Sequence, residues 1–177
     1  AGPAAVVSRG GAEGGGVVGR GFWPRLGAGG PPFPGRLWVP TFGLHDSTCA
    51  EVASNDSYYT DRSSSVLSAI NLTPSSYLES ALYRSLSPGA YTVILRGVAN
   101  SEGVGLIEVY DVDGSVNGYG DSRLANISTR GKVETEDNVM IGGFIIEGPD
   151  HAQILIRDLG PSLAPQGVSS SHPGNPD

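Results

Sequence analysis

Cysteine is all but absent from this chain. Cys49 stands alone among 177 residues, so no disulfide can form within it and the fold must rest on packing and hydrogen bonds. Long apolar runs are missing too, and none approaches the roughly 20 residues that a membrane-spanning helix requires. Basic side chains are scarce, with eleven Lys and Arg against eighteen Asp and Glu and a formal charge of −7. An acidic body repels a phosphate backbone, which argues against a nucleic-acid partner and leaves hard cations as a compatible one. The opening AGPAAVVSRGGAEGGGVVGRG has neither the basic start nor the continuous apolar centre of a secretion signal, so any export signal of an exported parent protein is expected outside this chain.

What the chain does have is glycine and proline, 27 and 13 of them. That density breaks helices and suits a β-fold with many turns. The charge is unevenly distributed. Residues 1–40 hold four arginines (Arg9, Arg20, Arg25, Arg36) against Glu13, so the acidic excess belongs to residues 41–177. This first stretch lacks periodicity, and its apolar islands, Phe22-Trp23-Pro24 and Leu37-Trp38-Val39-Pro40, are isolated. It reads as a leader or arm that need not be native, ahead of a β-sandwich domain over 41–168 and a tail at 169–177. The competing reading docks Trp23 and Trp38 on the sheet.

The strand pattern is plainest from Ser87 to Gly114. Tyr91, Val93 and Leu95 alternate with Thr92, Ile94 and Arg96, the period-two pattern of a strand with unlike faces. Asn100 to Gly103 interrupts with turn formers, and Leu106, Ile107, Val109 and Tyr110 return as a second strand. The expectation is a hairpin. FIIEG, a polar loop and ILIRDL repeat the arrangement, so two hairpins are expected to supply the facing sheets of an antiparallel sandwich. Further strands are expected at 51–54, 80–86, 123–130, 139–147 and 152–159, with one or two helical turns in 61–73. Ser76 and Glu79 have capping-box spacing, but the Pro-Gly turn ahead favours a strand for 80–86. Gly142-Gly143 suggests a bulge or a close backbone approach, and the segment from Gly160 onward reads as loop.

Together, LSPGAYTVILRG, GLIEVYD, RLANISTRG, NVMIGGFII and ILIRDLGPSL resemble the β-rich repeat module of large exported or surface proteins of environmental bacteria. The resemblance spans about residues 51–168. It implies a sandwich-like extracellular unit without established catalytic residues. The block order departs from the family's, since the closing half precedes the opening half. The chain therefore looks cut across a repeat boundary, as two half-modules at about 41–114 and 122–168. They would close on each other as a permuted sandwich, or leave strand edges for a second copy to cover, which predicts a homo-oligomer.

Candidate chemistry is sparse. Asp111, Asp113, Asn117 and Asp121 form an oxygen-rich loop that suits calcium, although its spacing is not that of an EF-hand and an ordinary turn uses the same residues. An acyl-transfer site would need a serine nucleophile, a histidine and an orienting carboxylate. No G-x-S-x-G elbow occurs, and the available residues are Ser162, His151 with Asp150, and His45 with Asp46. His45 and Cys49 are spaced to meet on a helical turn, as a Cys/His nucleophile pair or half a zinc site. Two ligands do not make a zinc site, however, and a thiol near a chance histidine is the plainer reading. Arg96, Arg130 and Arg157 could line an anion site with Lys132, or pair across strands with Glu108, Glu147 and Asp158.

The leading functional expectation is a non-catalytic extracellular module for adhesion, self-association or scaffolding. One alternative is a small calcium-dependent hydrolase acting on an ester or lactone. The other is carbohydrate binding through Tyr58, Tyr59 or Trp38.

Overall fold

The structure, a computed structural model, describes residues 35–62, 64–113 and 127–168. Eight strands carry the fold: β1 (Pro40–His45), β2 (Glu51–Asn55), β3 (Ser80–Leu86), β4 (Gly89–Gly97), β5 (Gly103–Asp111), β6 (Ile127–Val133), β7 (Met140–Ile146) and β8 (Ala152–Leu159). All pair antiparallel, in two sheets ordered β2-β1-β4-β7 and β3-β8-β5-β6. The class is all-β, as the alternation and turn chemistry predict.

One core lies between the sheets. Phe42, Leu44, Val93, Leu95, Met140, Phe144 and Ile146 face it from the first sheet. Leu82, Leu86, Ile107, Val109, Val133, Ala152, Ile154 and Ile156 face it from the second. Burying each of these larger side chains contributes about 1.5–3 kcal/mol before chain entropy is counted. Strands from both parts of the sequence fill both sheets. β8 lies between β3 and β5, and β7 pairs with β4.

The expected hairpin from Ser87 to Gly114 does not form. β4 and β5 lie in opposite sheets and share no ladder, so the connection is an arch. A 3-10 turn at Val98–Asn100 carries the chain across, with Ala99 and Asn100 at φ 54° and 59°. Gly97 permits the crossing, because a Cβ there would lie 2.5 Å from Ser101 Oγ and 2.8 Å from Leu37 Cδ1. β7 and β8 likewise arch between sheets through Gly148 at φ 111°. The repeated pattern is thus two arches, each supplying one strand to either sheet. β1 and β2 do form a hairpin. Asp46 Oδ1 accepts the Thr48 N–H at 2.8 Å, the Thr48 hydroxyl at 2.6 Å and the Ala50 N–H at 3.1 Å, which fixes its turn. The Thr48 bonds hold the Asp46 carboxyl below its ordinary pKa.

Other expectations are refined. Gly142 and Gly143 sit in a regular ladder with β4 and make no bulge, while the irregular register falls between Leu44 and His45. A short helix, α1 (Ser64–Ala69), buries Leu67 against Ala81, Val112 and Leu155 on the outer face of the second sheet. Residues 161–166 are a 3-10 helix rather than loop, with Leu163 packed on Leu106 and Leu159. Leu37, one of the apolar islands, is fully buried in the main core, and its N–H donates to Val104 O at 2.8 Å.

Candidate functional site

Antiparallel pairing gives the sandwich two ends, and the chemistry-bearing side chains divide between them. One end gathers the finish of β1, β3, β5 and β7 with the start of β4 and β8. His45, Ser87, Asp111, Asp113, Asp150 and His151 lie there. The other end holds Glu79, Asp158, Gly160 and Ser162. His151 precedes β8 and Ser162 follows it, so eight strand residues, about 26 Å, separate them. The His151–Ser162 pairing is therefore excluded by topology.

At the first end the structure brings His151 to a serine that sequence reading passed over. Ser87 Oγ lies 3.0 Å from His151 Nε2, and the Ser87 carbonyl accepts the Tyr91 hydroxyl at 2.9 Å. Both Ser87 and His151 are exposed, as is Asp150, and among the described residues no carboxylate bonds the second ring nitrogen. A serine activated for attack needs that orienting partner and a site that excludes water. His45 does not meet the Cys49 thiol. Its Nδ1 lies 3.4 Å from the Cys49 carbonyl oxygen in the β1–β2 turn, where Cys49 is exposed at φ 65°.

Asp111 and Asp113 are brought together, but their oxygens serve the backbone. Asp111 Oδ1 accepts the Asp113 N–H at 3.3 Å, and Asp113 Oδ1 accepts the Gln153 N–H at 2.9 Å, tying the end of β5 to β8. Asn117 and Asp121 lie outside the described residues. Among the described residues no group of three or more His, Cys, Asp or Glu is placed to hold a metal ion.

At the opposite end Glu79 is fully buried and acts as an acceptor. Its Oε1 takes the Gly160 N–H at 2.9 Å and the Ser162 N–H at 2.8 Å, and its Oε2 takes the Ser162 hydroxyl and the Ser76 N–H. Ser75 Oγ adds a contact to Ser162 Oγ at 2.6 Å. Half of the Ser76/Glu79 capping box thus forms, on a turn instead of a helix. Ser162 is held as a fastening.

On the outer face of the second sheet, Arg157 is ion-paired to Glu108. It also donates to Leu72 O at 3.2 Å and Tyr110 Oη at 3.0 Å, with its guanidinium 5.3 Å from the Tyr110 ring centre. Burial, and then the Glu108 charge, push the Tyr110 hydroxyl pKa up. The cross-strand Arg157–Glu108 pair follows the sequence reading, and Lys132 pairs with Glu134. Asp158 departs from it. It faces inward opposite Ser80 and Ile107, fully buried, with neither carboxylate oxygen hydrogen-bonded. Burial, and then the Glu108 charge, raise its pKa well above the usual carboxylate range.

The aromatics do not form one platform. Tyr58 packs beside the α1 cluster, edge-on to an exposed Tyr59 at 6.0 Å, while the Arg36 guanidinium sits 5.5 Å over Trp38. The outer face of the first sheet is different in kind. Ser54, Gly43, Ile94 and Ile141 form one row across all four strands, and Ile145 adds a further isoleucine on β7. Ile141 is 40% exposed and Val52 of β2 is 50% exposed. No helix among the described residues is long and apolar enough to cross a membrane. Comparison of the chain with known protein families, curated proteins and solved structures gave no match.

Proposed function

We propose that the chain is a non-catalytic, extracellular β-sandwich module that acts through its surfaces, by adhesion, self-association or scaffolding. One observation carries this reading, the isoleucine patch of Ile94, Ile141 and Ile145 on β4 and β7, which lies beyond the Glu51 carboxylate that accepts the Ser54 hydroxyl at 2.9 Å on β2. The corresponding face of the second sheet carries α1 and its cluster, whereas on this face Ile141 is exposed and Ile94 and Ile145 are half-buried. Exposed apolar area of this kind is a feature of contact surfaces. The resemblance to bacterial repeat modules points the same way. Of the residues that would serve a hydrolase, Ser162 is bonded to Glu79 and Asp113 to the β8 backbone, while the Ser87–His151 contact is exposed.

Ile94→Lys tests the reading, because it places a charge at the centre of the face without entering the core. Sedimentation velocity across a concentration series should show association in the unaltered chain and less of it in the variant, with the unfolding midpoint little moved. A purified chain that stays monomeric, binds no surface and hydrolyses an ester at a rate lost on His151→Ala would replace this reading with the hydrolase.

A further inference from the structure

A sheet edge invites pairing with another chain unless something blunts it, by shortness, charge, a bulge or a covering element. Among the described residues the two sheets have four edges, and three of them are blunted. β2 is five residues long, carries Glu51, and lies beside the irregular register at Leu44/His45. β3 carries Arg84, ion-paired to Asp61 of the neighbouring segment. β6 carries Arg130 and Lys132. β7 has none of these. Its seven residues, Met-Ile-Gly-Gly-Phe-Ile-Ile, hold no charge and no proline, run in unbroken register with β4, and among the described residues pair with β4 alone.

The sequence of β7 also says what fits against it. An antiparallel pair about a two-fold axis at Gly143 sets Gly143 opposite its own copy, Ile141 opposite Ile145, and Gly142 opposite Phe144. The outward row then matches isoleucine to isoleucine. The inward row sets a residue without a side chain beside the large ring, which already stacks on Tyr91 at 5.4 Å and need not move. Two chains of net charge −7 repel over most of their surfaces, and this edge is one where neither brings a charge. A two-fold contact uses the same patch twice, so such self-matching is what it requires. We infer that a second copy of this chain pairs with β7 in antiparallel register about Gly143, joining two four-stranded sheets into one of eight strands. The inference rests on the self-association reading above and gives it a partner and a register.

Cross-linking reads the register directly. In a Cys49→Ser background, Gly143→Cys should form a disulfide-linked dimer under mild oxidation. Ile141→Cys alone should not, because the pairing places position 141 opposite 145. A mixture of Ile141→Cys and Ile145→Cys chains should link. Hydrogen exchange on the unaltered chain needs no substitution, and the β7 amides that point away from β4 should gain protection as concentration rises. Ile141→Lys should weaken the dimer at least about tenfold. A dimer that persists with no link through Gly143→Cys and no change in β7 exchange would overturn the β7 register and leave self-association standing on another surface. A chain that stays monomeric at every concentration would remove both.

Discussion

The carboxylate of Glu79 accepts the backbone N–H of Ser162 at 2.8 Å, across 83 residues of sequence. With the Gly160 N–H on the same oxygen, it satisfies donors that the start of a short 3-10 helix would otherwise leave bare. The turn before β3 and the segment after β8 are thereby fastened at one end of the sandwich. Glu79→Ala strands those buried donors and should cost about 3 kcal/mol or more in urea unfolding. Glu79→Gln keeps an acceptor oxygen and should cost about 1 kcal/mol. The difference between the two variants measures the hydrogen bonds apart from the shape. An alanine variant as stable as the parent would show the fastening to be idle.

Arg157 and Glu108 raise a different question, because both side chains are mostly buried on the outer face of the second sheet. Removing one partner leaves a charge in a poorly solvated place. Arg157→Ala should therefore cost about 3–5 kcal/mol, and Arg157→Ala with Glu108→Ala should cost less than the sum of the single changes. A thermal-unfolding double-mutant cycle gives the coupling. Additive losses would mean that the pair is solvated and contributes nothing of its own.

Leu37 connects the glycine-rich opening to the fold. It is fully buried in the main core, and Gly103 packs so closely on its backbone that a Cβ there would lie 2.5 Å from the Leu37 nitrogen. Leu37→Ala should cost about 2–5 kcal/mol, as for other buried leucines. Gly103→Ala should push residues 35–37 outward and expose them to a protease before the domain unfolds. Equal digestion of both forms would contradict the docking.

Within each strand the sequence was a good guide. The alternation in β4 sorts Val93 and Leu95 inward and Thr92 and Arg96 outward, and the Pro-Gly turn correctly favours a strand for 80–86. The choice of partner was hidden. A hairpin and an arch both consist of two alternating strands and a polar connection, and an inward face is buried in either sheet. The loop from Val98 to Glu102 does lack the Asn-Gly or Asp-Gly pair that closes a tight hairpin, which is the signal against one. Leu37 was illegible for another reason, because a single buried side chain has no period. The contact between Ser87 and His151 joins two turns 64 residues apart, which nothing local records.

Asp158 was legible and misread. Period two in β8 places it with Ala152, Ile154 and Ile156, facing the core, and Arg157 with the outer face. Its cost should show in the pH dependence of stability. An unfolded aspartate titrates near 3.9, and burial raises the folded pKa above that. The folded state therefore holds a proton that the unfolded state has already released. This contribution to stability is fully present below the unfolded pKa and is lost as pH rises through the folded pKa, at up to about 1.4 kcal/mol per pH unit. Asp158→Asn removes the titration while keeping the shape. Its stability relative to the parent should rise from pH 4 toward pH 8 and level off once the folded pKa is passed, and subtracting the two profiles cancels the other carboxylates. Asp158→Leu removes the unpartnered polar atoms as well, and should be the more stable of the two at neutral pH if Ser80 and Ile107 accommodate it. A parent-to-variant difference that stays flat across that range would mean that Asp158 is solvated in the folded protein.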